Sequence, residues 1–179
     1  MSVRRCTRCV MDNASDPTIY FDEQGQCNYC TDALEKKDQV YFPNAEGEEK
    51  LQAMIRKLKQ AGKGKEFDCI MGISGGLDSS YLAYLGCQWG LRILAVHIDD
   101  GYDTAISIRN IENLTKAAHL VMETVRPDRV QYDALIHAYM KAGVPNLAIP
   151  QDNILLAFLH AEAKKHDVHF FLSGGNYAL

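Results

Sequence analysis

The sequence predicts an α/β protein, built as a doubly wound parallel sheet with a small cysteine-bearing module in front of it. Three observations predict this. Short apolar strands alternate with amphipathic helices from Phe67 onward. A glycine-rich turn, Gly72-Ile73-Ser74-Gly75-Gly76, joins the first strand of that series to its first helix. Two C-x-x-C pairs stand near the start of the chain.

Residues 1–42 carry both cysteine pairs and are rich in turn formers, including Asp12-Asn13, Asp16-Pro17 and Gln24-Gly25-Gln26. They read as a separate module. Residues 43–66 are strongly charged, with Leu51, Met54, Ile55 and Leu58 at helical spacing, and predict a connecting helix lying on the main domain. The run Gly62-Lys63-Gly64-Lys65 ends it. Residues 67–179 form the main domain. Its first strand covers residues 67–73, and Leu77, Tyr81, Leu82, Leu85 and Trp89 then mark a helix that stops at Gly90. Residues 91–98 read as a second strand. A helix follows over about 104–118, capped by Asp103 or Thr104, and 119–125 is a third strand. Leu135, Ile136, Tyr139 and Met140 mark a helix ending near Gly143. Ile154, Leu155, Phe158 and Leu159 mark another, opened by Gln151-Asp152-Asn153 with Asp152 as the expected cap, and 168–172 is a fourth strand. The chain stops just past Gly174-Gly175, so the domain is expected to be incomplete at its C-terminus.

Composition narrows the function classes. With 47% hydrophobic and 23% charged residues, the 179-residue chain is ordinary for a soluble globular protein. Net charge is −4 and the basic residues are scattered, which argues against a nucleic-acid partner, because phosphates need a basic stripe. No apolar stretch follows Arg4 and Arg5, and no run approaches the ~18 residues a membrane helix needs. A cytoplasmic protein without a membrane partner is expected.

Six cysteines in such a chain favour metal or redox chemistry over structural disulfides. Cys6-x-x-Cys9 and Cys27-x-x-Cys30 are separated by seventeen residues. Two tight turns of this kind complete a tetrahedral four-sulfur site, which suits a structural Zn2+ in a zinc-ribbon module. An iron–sulfur cluster and a redox role are the alternatives. A four-thiolate site leaves no position for water, so no catalysis is assigned to it. Cys69 and Cys87 lie among apolar residues and read as core thiols.

The glycine-rich turn carries the main signal. At a strand-to-helix junction, backbone N–H groups form a ready anion site. Gly75 and Gly76 let a phosphate approach, Ser74, Ser79 and Ser80 supply hydroxyls, and Asp78 can cap the helix or help hold Mg2+. The Lys-Ser/Thr pair of a Walker loop is absent, as is the G-x-G-x-x-G of a dinucleotide site. The segment also satisfies G-x-S-x-G, the nucleophile elbow of α/β-hydrolases. That fold places several strands before its nucleophile, and here one strand precedes Ser74.

Ligands of open α/β sheets lie beyond the carboxyl ends of the strands. Those ends carry His97, Ile98 and Asp99 after the second strand, and Ser173-Gly174-Gly175-Asn176-Tyr177 after the fourth. His97, Ile98 and Asp99 are candidates for contacting ribose, adenine or an acceptor, although the aspartates also suit a solvated turn. Gly174 and Gly175 are candidates for close backbone approach. His119, His137, His160, His166 and His169 share no spacing and read as ordinary surface or core histidines.

Ser74-Gly75-Gly76-Leu77-Asp78-Ser79 after a first parallel strand resembles the PP-loop signature of ATP pyrophosphatases, which cleave ATP to AMP and pyrophosphate. The resemblance implies that Ser74, Gly75, Gly76, Leu77, Asp78, Ser79 and Ser80 cradle the leaving pyrophosphate, with Ser74, Asp78 and Ser79 as the candidate catalytic groups. Three further segments narrow it: Cys6-Thr7-Arg8-Cys9-Val10-Met11-Asp12, Ile19-Tyr20-Phe21-Asp22 and Gly25-Gln26-Cys27-Asn28-Tyr29-Cys30. Together with the loop and Phe171 to Tyr177 they resemble the N-acetyl sugar amidotransferase family, over that family's N-terminal half. This implies ATP-driven conversion of an acetamido group on a bacterial surface sugar, such as those of O-antigen, to an acetamidino group. ATP, Mg2+ and structural Zn2+ would be the cofactors, and a glutaminase partner would supply ammonia. The segment Ile98-Asp99-Asp100-Gly101-Tyr102-Asp103 departs from the family's expected small residue before the glycine and tryptophan after it. A tRNA-thiolating enzyme and a nucleotide-binding fragment without catalysis are the alternatives.

Overall fold

A computed structural model describes residues 2–175. These fall into two compact units, dividing between Gln52 and Ala53.

The first unit is organised by its cysteines. Arg5 bridges Asp12 and Phe21 bridges Cys27, both antiparallel, so each C-x-x-C pair lies beside a short hairpin-like contact. Cys6, Ile19 and Cys27 are buried, with Cys9, Met11, Phe21 and Cys30 packed around them. Helix α1 (Asn28–Val40) follows. The sequence reading did not anticipate it, because it is polar all round and buries none of its residues. Helix α2 (Ala45–Ala61) begins in this unit and ends in the second.

The second unit holds a four-stranded parallel sheet. Its strands are β1 (Cys69–Gly72), β2 (Ile93–Ile98), β3 (Val121–Val125) and β4 (Phe171–Leu172), in the order β3-β2-β1-β4. Every residue of β2 is buried, as a central strand covered on both faces must be. Side chains alternate across it: Leu94, Val96 and Ile98 face a core completed by Phe67, Ile70 and Val168 and by Leu159 and Ala163 of α6 (Ile149–Lys165). Each such aliphatic side chain contributes roughly 1.5–3 kcal/mol through burial. On the opposite face lies α3 (Leu77–Gln88), whose Gly86 leaves room for the Ile93 side chain. Helices α4 (Ala105–Ala117) and α5 (Arg129–Lys141) complete the crossovers. Thr104 caps α4 by accepting a hydrogen bond from the Ser107 amide.

Two further elements differ from the sequence reading. The fourth strand pairs only through Ile70↔Phe171 and Met71↔Leu172, so it is shorter than 168–172. Helix α6 opens at Ile149, with Pro150 in its first turn and Ala148 as cap, so Asp152 lies inside the helix and does not cap it. Among the described residues, no helix is long and apolar enough to cross a membrane.

Candidate functional site

From β1 the chain winds outward through β2 to β3, then crosses back to place β4 on the other side of β1. The direction of winding therefore reverses between β1 and β4. At that point adjacent loops part and leave a crevice at the carboxyl ends of the strands. A cleft of about 500 Å3 opens there. Ile73 and Ser74 after β1 line it, as do Asp78 and Ser79 in the first turn of α3 and Ser173, Gly174 and Gly175 after β4. Helix α6 adds an apolar wall through Leu155, Leu156 and Leu159. A cleft of this size, mostly apolar with a few convergent polar groups, suits a small-molecule ligand.

The loop between β1 and α3 is folded by its own serines. Ser74 Oγ lies 3.3 Å from Ser79 Oγ and accepts a hydrogen bond from the Gly76 amide at 3.3 Å. Gly76 caps α3 without a side-chain hydrogen bond, so among the described residues no capping oxygen occupies the first amides of the helix. Those amides and the helix dipole favour an anion. Gly75 has φ +74°, and a Cβ there would meet the Ser107 carbonyl oxygen at 2.6 Å. Glycine is required at this position for two reasons: left-handed backbone and direct contact with α4. A Cβ on Gly174 would lie 3.2 Å from the Asp78 carbonyl carbon, so the end of β4 packs on the backbone of α3's first turn.

His97, near the end of β2, is largely buried. Its Nδ1 lies 3.0 Å from the Ile73 carbonyl, and its Nε2 lies 3.1 Å from Asp103 Oδ2. Both neighbours are acceptors, so both contacts are made when both ring nitrogens carry hydrogen. The buried Asp100 carboxylate, 4% exposed, accepts hydrogen bonds from the Tyr132 hydroxyl at 3.0 Å, Gln151 Nε2 at 2.9 Å and the Tyr102 amide at 3.0 Å. Burial, and then the hydrogen bond to Asp100, pushes the Tyr132 hydroxyl well above the usual phenol range.

Of the residues singled out in the sequence, Ser74, Asp78, Ser79, His97, Ile98, Gly174 and Gly175 line the cleft. Gly75, Gly76, Leu77, Ser80 and Asp99 are not in its wall. Leu77 projects into solvent at 82% exposure. Asp99 instead pairs with Arg126 at 2.8 Å, and that guanidinium holds its carboxyl below the usual range. Asn176 and Tyr177 lie outside the described residues. Sequence reasoning missed Asp103 as the partner of His97, and Gln151, Asp152 and His160 as cleft residues. Only Gln151 and Asp152 had a readable signal, their place in the opening turn of the helix marked by Ile154, Leu155, Phe158 and Leu159. Cys69 is fully buried, with burial pushing its thiol up to about 12, and Cys87 gives its hydrogen to the Ala118 carbonyl. Neither thiol lines the cleft.

In the first unit, the sulfurs of Cys6, Cys9, Cys27 and Cys30 all lie within 4.8 Å of one another. Cys6 and Cys30 are 4.0 Å apart, and Cys9 and Cys27 are 3.6 Å apart. A tetrahedron of ~2.3 Å metal–sulfur bonds has edges of about 3.8 Å, so the set is the right size for one ion. The first pair sits in a turn, while Cys27 caps α1 and Cys30 lies in its first turn. The Arg8 and Cys27 amides donate to Cys6 Sγ at 3.3 and 3.2 Å. Burial raises the Cys6 thiol, but these amides and that of Cys9 outweigh it and bring it down to about 6. Burial and then the neighbouring sulfurs push Cys30 up to about 12, the response of crowded thiols that a cation would relieve.

No protein-family model matches the chain, and no curated protein matches it. Solved structures do. An NMN synthetase from Francisella tularensis aligns with a TM-score of 0.53 and 19% identity, over 70% of this chain and 52% of that one. An NH3-dependent NAD synthetase from Campylobacter jejuni aligns with a TM-score of 0.51 and 16% identity, over 70% and 55%. They share its fold. The chain spans about half the length of these two synthetases. A U34-tRNA thiolase from Methanococcus maripaludis, solved with its [4Fe-4S] cluster, aligns with a TM-score of 0.46 and 17% identity, over 98% of this chain and 55% of that one.

Proposed function

We propose that this chain is the nucleotide-binding part of an ATP-dependent amidotransferase of AMP-forming type. The observation that carries the reading is the cleft at the winding reversal, with the uncapped start of α3 on one wall. The triphosphate would lie over residues 74–80, its outer two phosphates taking hydrogen bonds from the amides at the start of α3 and from the Ser74 and Ser79 hydroxyls. Asp78 and Ser79 would hold Mg2+, which neutralises charge on the departing pyrophosphate. An amide oxygen of the acceptor would attack the α-phosphorus, releasing pyrophosphate, and ammonia would then add to the activated carbon and displace AMP. Activation is needed because an amide oxygen leaves very poorly. No side chain has to act as a nucleophile, so catalysis rests on positioning and on charge stabilisation.

The fold shared with an NH3-dependent synthetase supports ammonia as the nucleophile. The finer reading rests on the sequence resemblance: an acetamido sugar of the bacterial surface as acceptor, and a glutaminase partner as the source of ammonia. The four sulfurs would hold a structural Zn2+, since the set closes around one ion and leaves no position for water. Cys69 and Cys87 lie away from the cleft, so neither thiol can carry sulfur to a substrate activated there, which favours the amidotransferase. The test is pyrophosphate–ATP exchange with acetamido sugars and with tRNA. Exchange driven by a sugar supports the reading, while exchange driven by tRNA alone, or by neither, overturns it.

A further inference from the structure

Helix α4 touches the loop between β1 and α3 at two points, on either side of Ser74. The Asn110 side-chain amide donates to the Gly75 carbonyl at 3.1 Å. Asp103, just before α4, holds His97 Nε2 at 3.1 Å, and His97 Nδ1 holds the Ile73 carbonyl at 3.0 Å. The other oxygen of Asp103 accepts from Ser107 Oγ at 3.4 Å, and Ser107 is the residue whose backbone abuts Gly75. A closed set of contacts thus runs from Ile73 through His97, Asp103 and Ser107 to Gly75, with Asn110 as a second tie.

We propose that Asn110 and Asp103 are positioning residues, which set the direction of the loop's peptide groups for phosphate binding. In a trans peptide the C=O and the following N–H point in opposite directions. Holding the Gly75 carbonyl on α4 sends the Gly76 N–H to the other side, where it meets Ser74 Oγ. Holding the Ile73 carbonyl on His97 does the same for the Ser74 N–H, which faces Ser79 Oγ at 3.5 Å. Without these ties either peptide can rotate and present a carbonyl oxygen to the ligand, which repels phosphate. Two adjacent glycines make that rotation easy, and this is why a brace from outside the loop is needed.

The inference rests on the reading of residues 74–80 as a phosphate site, and the test separates the two. Asn110→Ala and the isosteric Asn110→Asp remove the donor. Thr115→Ala is the control, because Thr115 Oγ1 bonds the Ile111 carbonyl within α4 and does not touch the loop. In the ligand-free 179-residue chain, amide exchange at Gly76 should quicken at least several-fold in both Asn110 variants and stay unchanged in Thr115→Ala. ATP affinity, measured by calorimetry, should fall about fivefold or more in the Asn110 variants, the loss expected from one hydrogen bond. Equal exchange and affinity in Asn110→Ala and Thr115→Ala would overturn the proposal. Faster exchange in the Asn110 variants, with a wild-type chain that binds no ATP, would sink the phosphate reading and reduce the brace to a structural tie.

Discussion

Replacing Gly75 by alanine strikes the loop where its backbone rests on α4. Gly75 has φ +74°, and the added Cβ would meet Ser107 oxygen at 2.6 Å and Ser107 Cα at 2.9 Å. Left-handed backbone costs an L-residue roughly 1–2 kcal/mol, and intrusion into a packed contact costs about 1–3 kcal/mol more. The obstructing atoms are backbone, so they cannot swing aside as a side chain would. The sum is about 2–5 kcal/mol. Gly143 supplies the internal reference: its φ is +68°, and among the described residues nothing lies within 4 Å of its Cβ position. Alanine there should cost only the left-handed part, about 1–2 kcal/mol. Gly76 supplies the opposite case, with φ −77° and, among the described residues, only Ser74 Oγ, at 3.3 Å, near its Cβ. Gly76→Ala should therefore leave stability within about 1 kcal/mol while weakening ATP binding. Urea unfolding followed by the fluorescence of Trp89, the chain's one tryptophan, gives the stabilities. A Gly75→Ala cost no greater than that of Gly143→Ala would refute the contact between loop and helix.

Other perturbations probe separate parts of the molecule. Gly174→Ala should lower ATP affinity with only a modest loss of stability, since its Cβ would press on the Asp78 and Ser79 backbone at 3.2–3.3 Å; calorimetry beside urea unfolding checks both. Metal removal by a strong chelator, or Cys27→Ser, should unfold the first unit while Trp89 fluorescence keeps its folded signature, and one equivalent of zinc should restore it. Glu123 titrates at about 2 against an ordinary 4.5, chiefly because Lys165 donates to it. Its folded value is depressed, so its contribution is present above pH ~4.5 and fades as pH falls toward 2. Unfolding midpoints over that range should drop less steeply in Glu123→Gln, and an unchanged slope would count against the pairing.

Much of the fold was legible because a buried parallel sheet writes itself into the chain as apolar runs. Residues 93–98 and 69–72 could hardly be anything but central strands. Edges were harder to read. Strand β4 pairs through two residues only, so the apolar character of Val168 serves packing and not pairing. Helix α1 escaped because a polar helix that buries nothing has no apolar period to detect. The loop serines, Asp78 and the glycines after β4 were found from their place beside strands. Asn110, Asp100 and Gln151 were not, because their partners stand far off in sequence: Asn110 reaches Gly75 and Gln151 reaches Asp100. No local spacing encodes such pairs. Asp99 shows the converse, a residue well placed along the chain whose side chain turns to Arg126.

The most direct measurement is a crystal structure of the chain with Mg2+ and a non-hydrolysable ATP analogue. The outer two phosphates should sit on the amides at the start of α3, at about 3 Å, with the nucleoside inside the cleft. A triphosphate seated anywhere else, with the start of α3 left bare, would contradict it.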